Sequence, residues 1–373
     1  MRTAFKYRLY PTKKQAEFLD GQLAEACRLY NAALQERRDA YSINRVSINY
    51  YDQAHQLKEI RAEGDSGLEN FSCSQDVLRR VDKTFKAFFR RCKEGTGKAG
   101  FPRFKPRDRY NSISFPSYGD GCRLMPNGKL RIQGAGFIKV KLHRAVEGKI
   151  KTVTILREVD NYYACFSCEV EAQPLPPLES VIGIDVGLTT FAVLSDGTEI
   201  DNPRFFKASE EKLANAQKVL ARKKRGSNSR KKAKKTVQKL HAKIRNQRND
   251  FQHKVSRRIV NNYGSIYVEK LNIRGLAGGM LAKSVQDAAW RGFLDKTSYK
   301  ASNAGRVYGE VYAPGSSQEC LCGAEVRKKL SDRWHHCVSC GLSEPRDHVS
   351  SKIIKARGLR ASRKNLPNEA ALL

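Results

Sequence analysis

At 373 residues with 40% hydrophobic side chains, the chain is long enough for two or more packed domains and too apolar for wholesale disorder. Its 70 Lys and Arg against 38 Asp and Glu give a formal charge of +32, which points to a polyanionic partner, nucleic acid first, and away from a small-molecule kinase. No apolar run approaches membrane-spanning length and residues 1–10 lack the apolar core of a signal peptide, so a cytoplasmic protein with reduced thiols is expected, without a membrane partner.

Residues 5–10 read as a short strand stopped by Pro11. Thr12 is a good N-cap for a helix running to about Asp39, with Leu19, Leu23, Cys27, Tyr30 and Leu34 at helical spacing. A second helix is expected over 50–62. A third starts at Ser72, where Gln75 would close a capping box, and carries Val77, Leu78, Val81, Phe85, Phe88 and Phe89. Residues 12–93 thus form a helical insert whose aromatics read as packing. From Lys93 to Tyr110 the character changes: Lys98, Arg103, Lys105, Arg107 and Arg109 alternate with Phe101, Phe104 and Tyr110. That mixture suits a phosphate backbone with stacked bases. Short alternating strands follow over 112–115, 129–133, 137–142, 151–157 and 162–170, with turn signals between them. Residues 1–11 and 94–172 together suggest a small antiparallel barrel. Cys165 and Cys168 have CxxC spacing, but strand alternation puts them on opposite faces, so they read as packing residues.

Residues 173–180, with Pro174, Pro176 and Pro177, read as a stiff linker. Beyond it Val181, Ile182, Ile184 and Val186 form a buried strand. Asp185 lies inside that strand, where a carboxylate must be paired or metal-bound. Gly183 and Gly187 leave room for a backbone or ligand to come close. A second strand over 189–195 and the turn Asp196-Gly197 lead to a third. Between Arg204 and Arg258 stand 20 Lys or Arg against 3 Asp or Glu, on two helices hinged at 226–229. With so few acidic partners, a polyanion is needed to offset the like-charge repulsion. A strand over 265–269 ends on Glu269, a helix spans 290–301, a strand 306–312 and a last helix 347–356. A polar, frayed tail is expected from Gly358.

Cys320 and Cys322 form a CxC and Cys337 and Cys340 a CxxC, each followed by glycine, Gly323 and Gly341. Over 316–342 this is the pattern of a structural zinc knuckle; His335 or His336 stands ready should Cys320 and Cys322 not both reach the ion. Asp185 and Glu269 end apolar strands, and Asp347 opens a helix. If the three converge they can hold two Mg²⁺ ions, activating water and stabilising the leaving oxygen in phosphodiester cleavage. As ordinary capping residues they would do neither.

Gly183-Ile-Asp-Val-Gly187, Tyr267-Val-Glu-Lys-Leu271, Ser317-Gln-Glu-Cys-Leu-Cys-Gly323, Cys337-Val-Ser-Cys-Gly341 and Pro345-Arg-Asp347 occur in this order, after Lys6-Tyr-Arg-Leu-Tyr-Pro-Thr12 and Gly100-Phe-Pro-Arg-Phe-Lys105. The ordered set resembles the TnpB family, insertion-sequence proteins related to the type V CRISPR effectors. The resemblance implies a multidomain α+β chain: a wedge-like β-barrel (1–11, 94–172), a helical recognition insert (12–93), then a RuvC-like nuclease of RNase H fold (181–315, 343–358) with an inserted zinc knuckle, and a tail (359–373). It implies an RNA-guided DNA endonuclease, one chain per guide RNA from the transposon end, cutting duplex DNA beside a short motif that the protein reads, at the nucleoid of a prokaryotic cytoplasm. By the same resemblance Asp185, Glu269 and Asp347 are catalytic Mg²⁺ ligands, and Cys320, Cys322, Cys337 and Cys340 hold Zn²⁺. Two departures stand out. The first half of the knuckle is one residue short of CxxC, and Val349-Ser350-Ser351 replaces the family's Asn-Ala-Ala. A guide-dependent repressor that does not cut, or a transposition accessory protein, are the alternatives. A sugar-kinase or actin-like ATPase would need a second phosphate loop, for which the sequence has no candidate.

Overall fold

Burial alternates along Arg2–Tyr10 (β1), with Phe5, Tyr7 and Leu9 facing a core and their neighbours facing out. The computed structural model describes all residues except 65–66, 96–98, 313–314, 316, 330 and 365–373; Lys98, Ser316 and most of the expected tail lie outside the described residues. The chain divides into two units, Met1–Glu171 and Ala172–Leu373.

In the first unit β1 is followed by helices α1 (Lys13–Asn44), α2 (Tyr50–Ala62) and α3 (Phe71–Glu94). Thr12 and Gln15 make a reciprocal capping box at the start of α1, which outruns its expected end and stops where Arg45 turns left-handed. The cap of α3 is Asn70, not Ser72: its side chain accepts from the Cys73 N–H at 3.0 Å. Strands β2 (Ser112–Phe115), β3 (Cys122–Leu124), β4 (Lys129–Ile132), β5 (Gly136–Lys141), β6 (Lys149–Glu158) and β7 (Asn161–Glu169) complete the unit. They build a seven-stranded antiparallel sheet in the order β2-β6-β7-β1-β5-β4-β3. Three-residue β3 is too short to carry a readable alternation in the sequence. Buried residues of helices and sheet, Tyr30, Leu34 and Val81 with Tyr7 and Phe166 among them, form one continuous core. Cys168 is buried and Cys165 half-buried on the other face, as alternation requires.

Residues 173–180, near the start of the second unit, are held against it: Leu175 N–H donates to Ala304 O (3.1 Å) and Arg306 to Pro176 O (2.6 Å). Its elements are β8 (Val181–Val186), β9 (Thr190–Leu194), β10 (Glu199–Asp201), α4 (Glu210–Arg222), α5 (Asn228–Asn262), β11 (Ser265–Lys270), α6 (Ile273–Leu276), α7 (Ala282–Ala288), α8 (Trp290–Asn303), β12 (Val307–Tyr312), β13 (Trp334–His336), β14 (Ser343–Pro345) and α9 (Arg346–Lys364). The main sheet runs β10-β9-β8-β11-β12, antiparallel on the β10 side and parallel from β8 to β12. Ile182, Ile184 and Phe191 pack against α5 and α8 through Val255, Ile259 and Phe293. Tyr267 and Val311 pack against α9 through Ile354.

The expected hinge at 226–229 is a capped turn. Ser227 Oγ accepts from the Arg230 N–H, and the Arg230 guanidinium donates to Leu220 O (2.8 Å) and Lys223 O (2.9 Å), closing the end of α4. The expected fraying at Gly358 is also corrected, since α9 continues to Lys364. Gly358 is a packing glycine: a Cβ there would lie 2.1 Å from Tyr267 Cγ.

Candidate functional site: a carboxylate cleft beside a cysteine knuckle

Strands β8 and β11 pair in parallel with Gly183 opposite Tyr267 and Ile184 opposite Val268. The next residues along are Asp185 and Glu269. Side chains alternate, so Ile184 and Val268 fill the α5–α8 core while Gly183, Asp185, Tyr267 and Glu269 share the α9 face. Gly183 is what lets α9 settle there. A Cβ at this position would stand 2.2 Å from Ser351 O and 2.5 Å from Lys355 N. Of the two occupants this glycine leaves room for, a backbone or a ligand, the helix backbone takes the space. Gly187 has a separate cause, a tight turn in which a Cβ would meet Thr190 O at 2.8 Å.

Asp347 lies in the first turn of α9. Asp185, Glu269 and Asp347 all line one open cleft of about 320 Å³, together with Arg333, Arg346, Ser317 and Ser350. Burial, then the charges of Glu269 and Asp347, push the Asp185 pKa well above the ordinary carboxylate range; Arg346 opposes them. Arg346 Nε is 3.4 Å from Asp347 Oδ1. Carboxylates from three residues lining one cleft are the kind of oxygen donor a hard divalent cation takes. The neighbouring His348 reaches Glu199 on β10 (Nε2 to Oε1, 2.7 Å). Val349 is buried away from the cleft, Ser350 lines it, and Ser351 Oγ donates to His348 O (2.7 Å).

All four knuckle sulfurs lie within 4.8 Å of one another; Cys320 to Cys340 is 3.5 Å and Cys322 to Cys337 is 3.7 Å. A zinc ion with bonds of about 2.3 Å requires tetrahedral edges of about 3.8 Å, so the cluster fits a structural zinc. The short CxC is tolerated because Gly323 takes φ +90° and its N–H closes a turn on Cys320 O at 2.9 Å. Burial opposes ionisation of Cys337, but the N–H groups of Cys340 and Ser339 and the neighbouring thiols outweigh it and bring its pKa to about 6. No histidine replaces a thiol. His335 is buried with Nδ1 2.5 Å from Lys328 Nζ, and neither His335 nor His336 belongs to the cluster.

The knuckle is tied to α9 at three points: Arg346 N–H donates to Arg333 O (2.9 Å), Lys352 clasps both Glu344 oxygens (2.7 and 2.6 Å), and Arg357 pairs with Glu319 (2.6 Å). Arg333 and Arg346 were not singled out from sequence. Arg346 had a usable signal in its place beside Asp347; Arg333 had none, since only the fold of the knuckle carries it to the cleft.

A family model described as a probable transposase matches residues 165–279, one described as a Cas12f1-like TNB domain matches 290–354, and one described as a helix-turn-helix domain matches 1–45. In this chain the last span is β1 and the single unbroken helix α1. A Streptomyces pristinaespiralis relative that carries an RNA-guided DNA endonuclease name is 32% identical, over 97% of this chain and 90% of its own length. The chain belongs to the TnpB family. A second member, InsQ of Escherichia coli (strain K12), with a name of the same kind, is 29% identical over 95% of this chain and 92% of its own. Among solved structures, the mini-RNA-guided endonuclease CRISPR-Cas_phi3 shares the fold with this TnpB-family chain at a TM-score of 0.52 and 9% identity, covering 96% of this chain and 92% of that one.

Proposed function

We propose that this TnpB-family protein is an RNA-guided DNA endonuclease that uses a guide from the transposon end and cuts target duplex beside a short motif read by the protein. The observation that carries the reading is the meeting of Asp185, Glu269 and Asp347 at one cleft from three distant parts of the chain. The mixed sheet, with antiparallel strands on one side of β8 and parallel strands on the other, supports an RNase H-like nuclease unit. The first unit's sheet and helices suit the wedge and recognition roles, and the cytoplasmic nucleoid is where such an enzyme would act.

Asp185, Glu269 and Asp347 would hold two Mg²⁺ ions, which supply an activated water and charge stabilisation at the leaving oxygen when bound. The chain's own contribution is position and charge. Strands β8 and β11 fix two carboxylates side by side, and α9 brings the third. Arg333 and Arg346 offer positive charge to the scissile phosphate in the same cleft. The basic helices α4 and α5 bind backbone phosphates outside it.

Asp185→Ala is expected to reduce guide-directed cleavage to background while the co-purifying RNA is retained. Undiminished cutting by that variant would sink the site. The replacement of Asn-Ala-Ala by Val349-Ser350-Ser351 favours one rival, a repressor that binds through the guide without cutting. Tight guide-dependent binding with no cleavage in either Mg²⁺ or Mn²⁺ would decide for it.

A further inference from the structure

We propose that Trp334 is a stacking platform for a nucleobase of the single DNA strand entering the carboxylate cleft, a role that rests on the nuclease reading above. Trp334 is 58% exposed at the start of β13. It pairs across the β13–β14 hairpin with Pro345, two residues before Asp347, and the preceding Arg333 lines the cleft. The indole itself does not line the cleft; its chain neighbour Arg333 does, as does Arg346, which follows Pro345 across the hairpin.

A tryptophan spent on the knuckle's interior would be buried. Here the buried residue is the adjacent His335, while the indole faces outward. Its orientation is fixed nonetheless, because Nε1 donates to Ser343 Oγ at 2.8 Å. That bond satisfies the ring's polar atom and holds its face in place. Among the described residues no other ring or cation covers that face. Exposed Lys329 and Arg333 lie in the same knuckle segment, while Arg327 is paired with Glu325 (3.1 Å). A held aromatic face with an exposed arginine next to it in the chain suits a base attached to a phosphate backbone. A duplex keeps its base faces stacked inside, so the occupant is a single strand.

The second tryptophan, Trp290, is 4% exposed in the core, so quenchable indole emission reports on Trp334. The test uses full-length protein with its co-purified RNA and titrates it with oligo(dT), with oligo(U) and with a mixed-sequence duplex. Oligo(dT) is expected to quench the emission, with a stronger response than either of the others. Trp334→Ala is expected to lose about tenfold in oligo(dT) affinity by anisotropy, within the range of base–aromatic stacking. Trp334→Phe keeps a ring, so it should hold affinity within about threefold of the original while losing the quench. Zinc content of both variants establishes that the knuckle is folded.

Absent quenching by oligo(dT), unchanged affinity of the folded alanine variant, or quenching that persists in the phenylalanine variant would each overturn the proposal. So would an equal or stronger response to oligo(U). Because binding needs no cleavage, the same titration on Asp185→Ala separates failure of this platform from failure of the nuclease reading.

Discussion

Gly183 and Asp185 illustrate how a short motif divides its work between adjacent residues. Asp185 carries a carboxylate of the proposed site, and Gly183 lets the backbone of α9 rest on β8. Its clash partners are Ser351 O and Lys355 N, main-chain atoms that no rotamer change can move. Gly183→Ala is therefore expected to destabilise the protein by about 1–3 kcal/mol or more. It should also lower cleavage by displacing Asp347, although it touches no ligand. Gly279→Ala is the matched control, since a Cβ there meets nothing within 4 Å and should change stability by less than about 0.5 kcal/mol. Urea denaturation of the two variants compares them directly; equal midpoints would refute the close-approach argument.

At the level of elements, the α5–α8 contact contains a cation without a carboxylate. Lys300 is 5% exposed and donates to His253 O (2.6 Å) and Ser256 Oγ (2.8 Å). Burial, then the nearby Arg257 and Lys296, bring its pKa down to about 8, against about 10.4 in an unfolded chain. Between those values the unfolded state binds more protons, so stability should rise as pH climbs from about 8 to about 10.4. Lys300→Met should remove that rise. Chemical denaturation of both proteins across this window measures it, and an unchanged slope in the variant would assign the effect elsewhere. The helical periodicity of α5 and α8 was legible in sequence. The lysine's burial was not, because Lys300 reads as one more charge in a basic chain.

For the whole molecule, the charge of +32 and the knuckle give two expectations. Nucleic-acid affinity should fall steeply with salt, at a log–log slope of about −0.9 for each duplex phosphate neutralised. Charge-reversing the exposed Lys231 and Lys232 of α5 should make that slope shallower. Equilibrium binding at several ionic strengths tests this, and a salt-insensitive complex would remove α5 from the contact surface. Purified protein should also carry equimolar zinc. A chelator should expose the thiols of Cys320, Cys322, Cys337 and Cys340 to a thiol reagent and, through the ties from Arg333, Glu344 and Glu319 to α9, depress cleavage. Thiols that are reactive before chelation would argue against the bound ion.

Sequence alone determined the multidomain α+β class, the polyanionic partner and the family, because composition, periodicity and ordered motifs are local properties of the chain. It also named the four cysteines, whose spacing and following glycines encode their own turns. It misjudged Gly358, passed over Arg333, and left open which of two occupants, a backbone or a ligand, fills the space at Gly183. Each of these depends on what lies across the fold rather than along the chain: the Tyr267 ring under α9, the rim of the cleft, a helix backbone over β8. The meeting of Asp185, Glu269 and Asp347 belongs to the same class. Parallel pairing sets the first two side by side, and only the packing of α9 brings in the third.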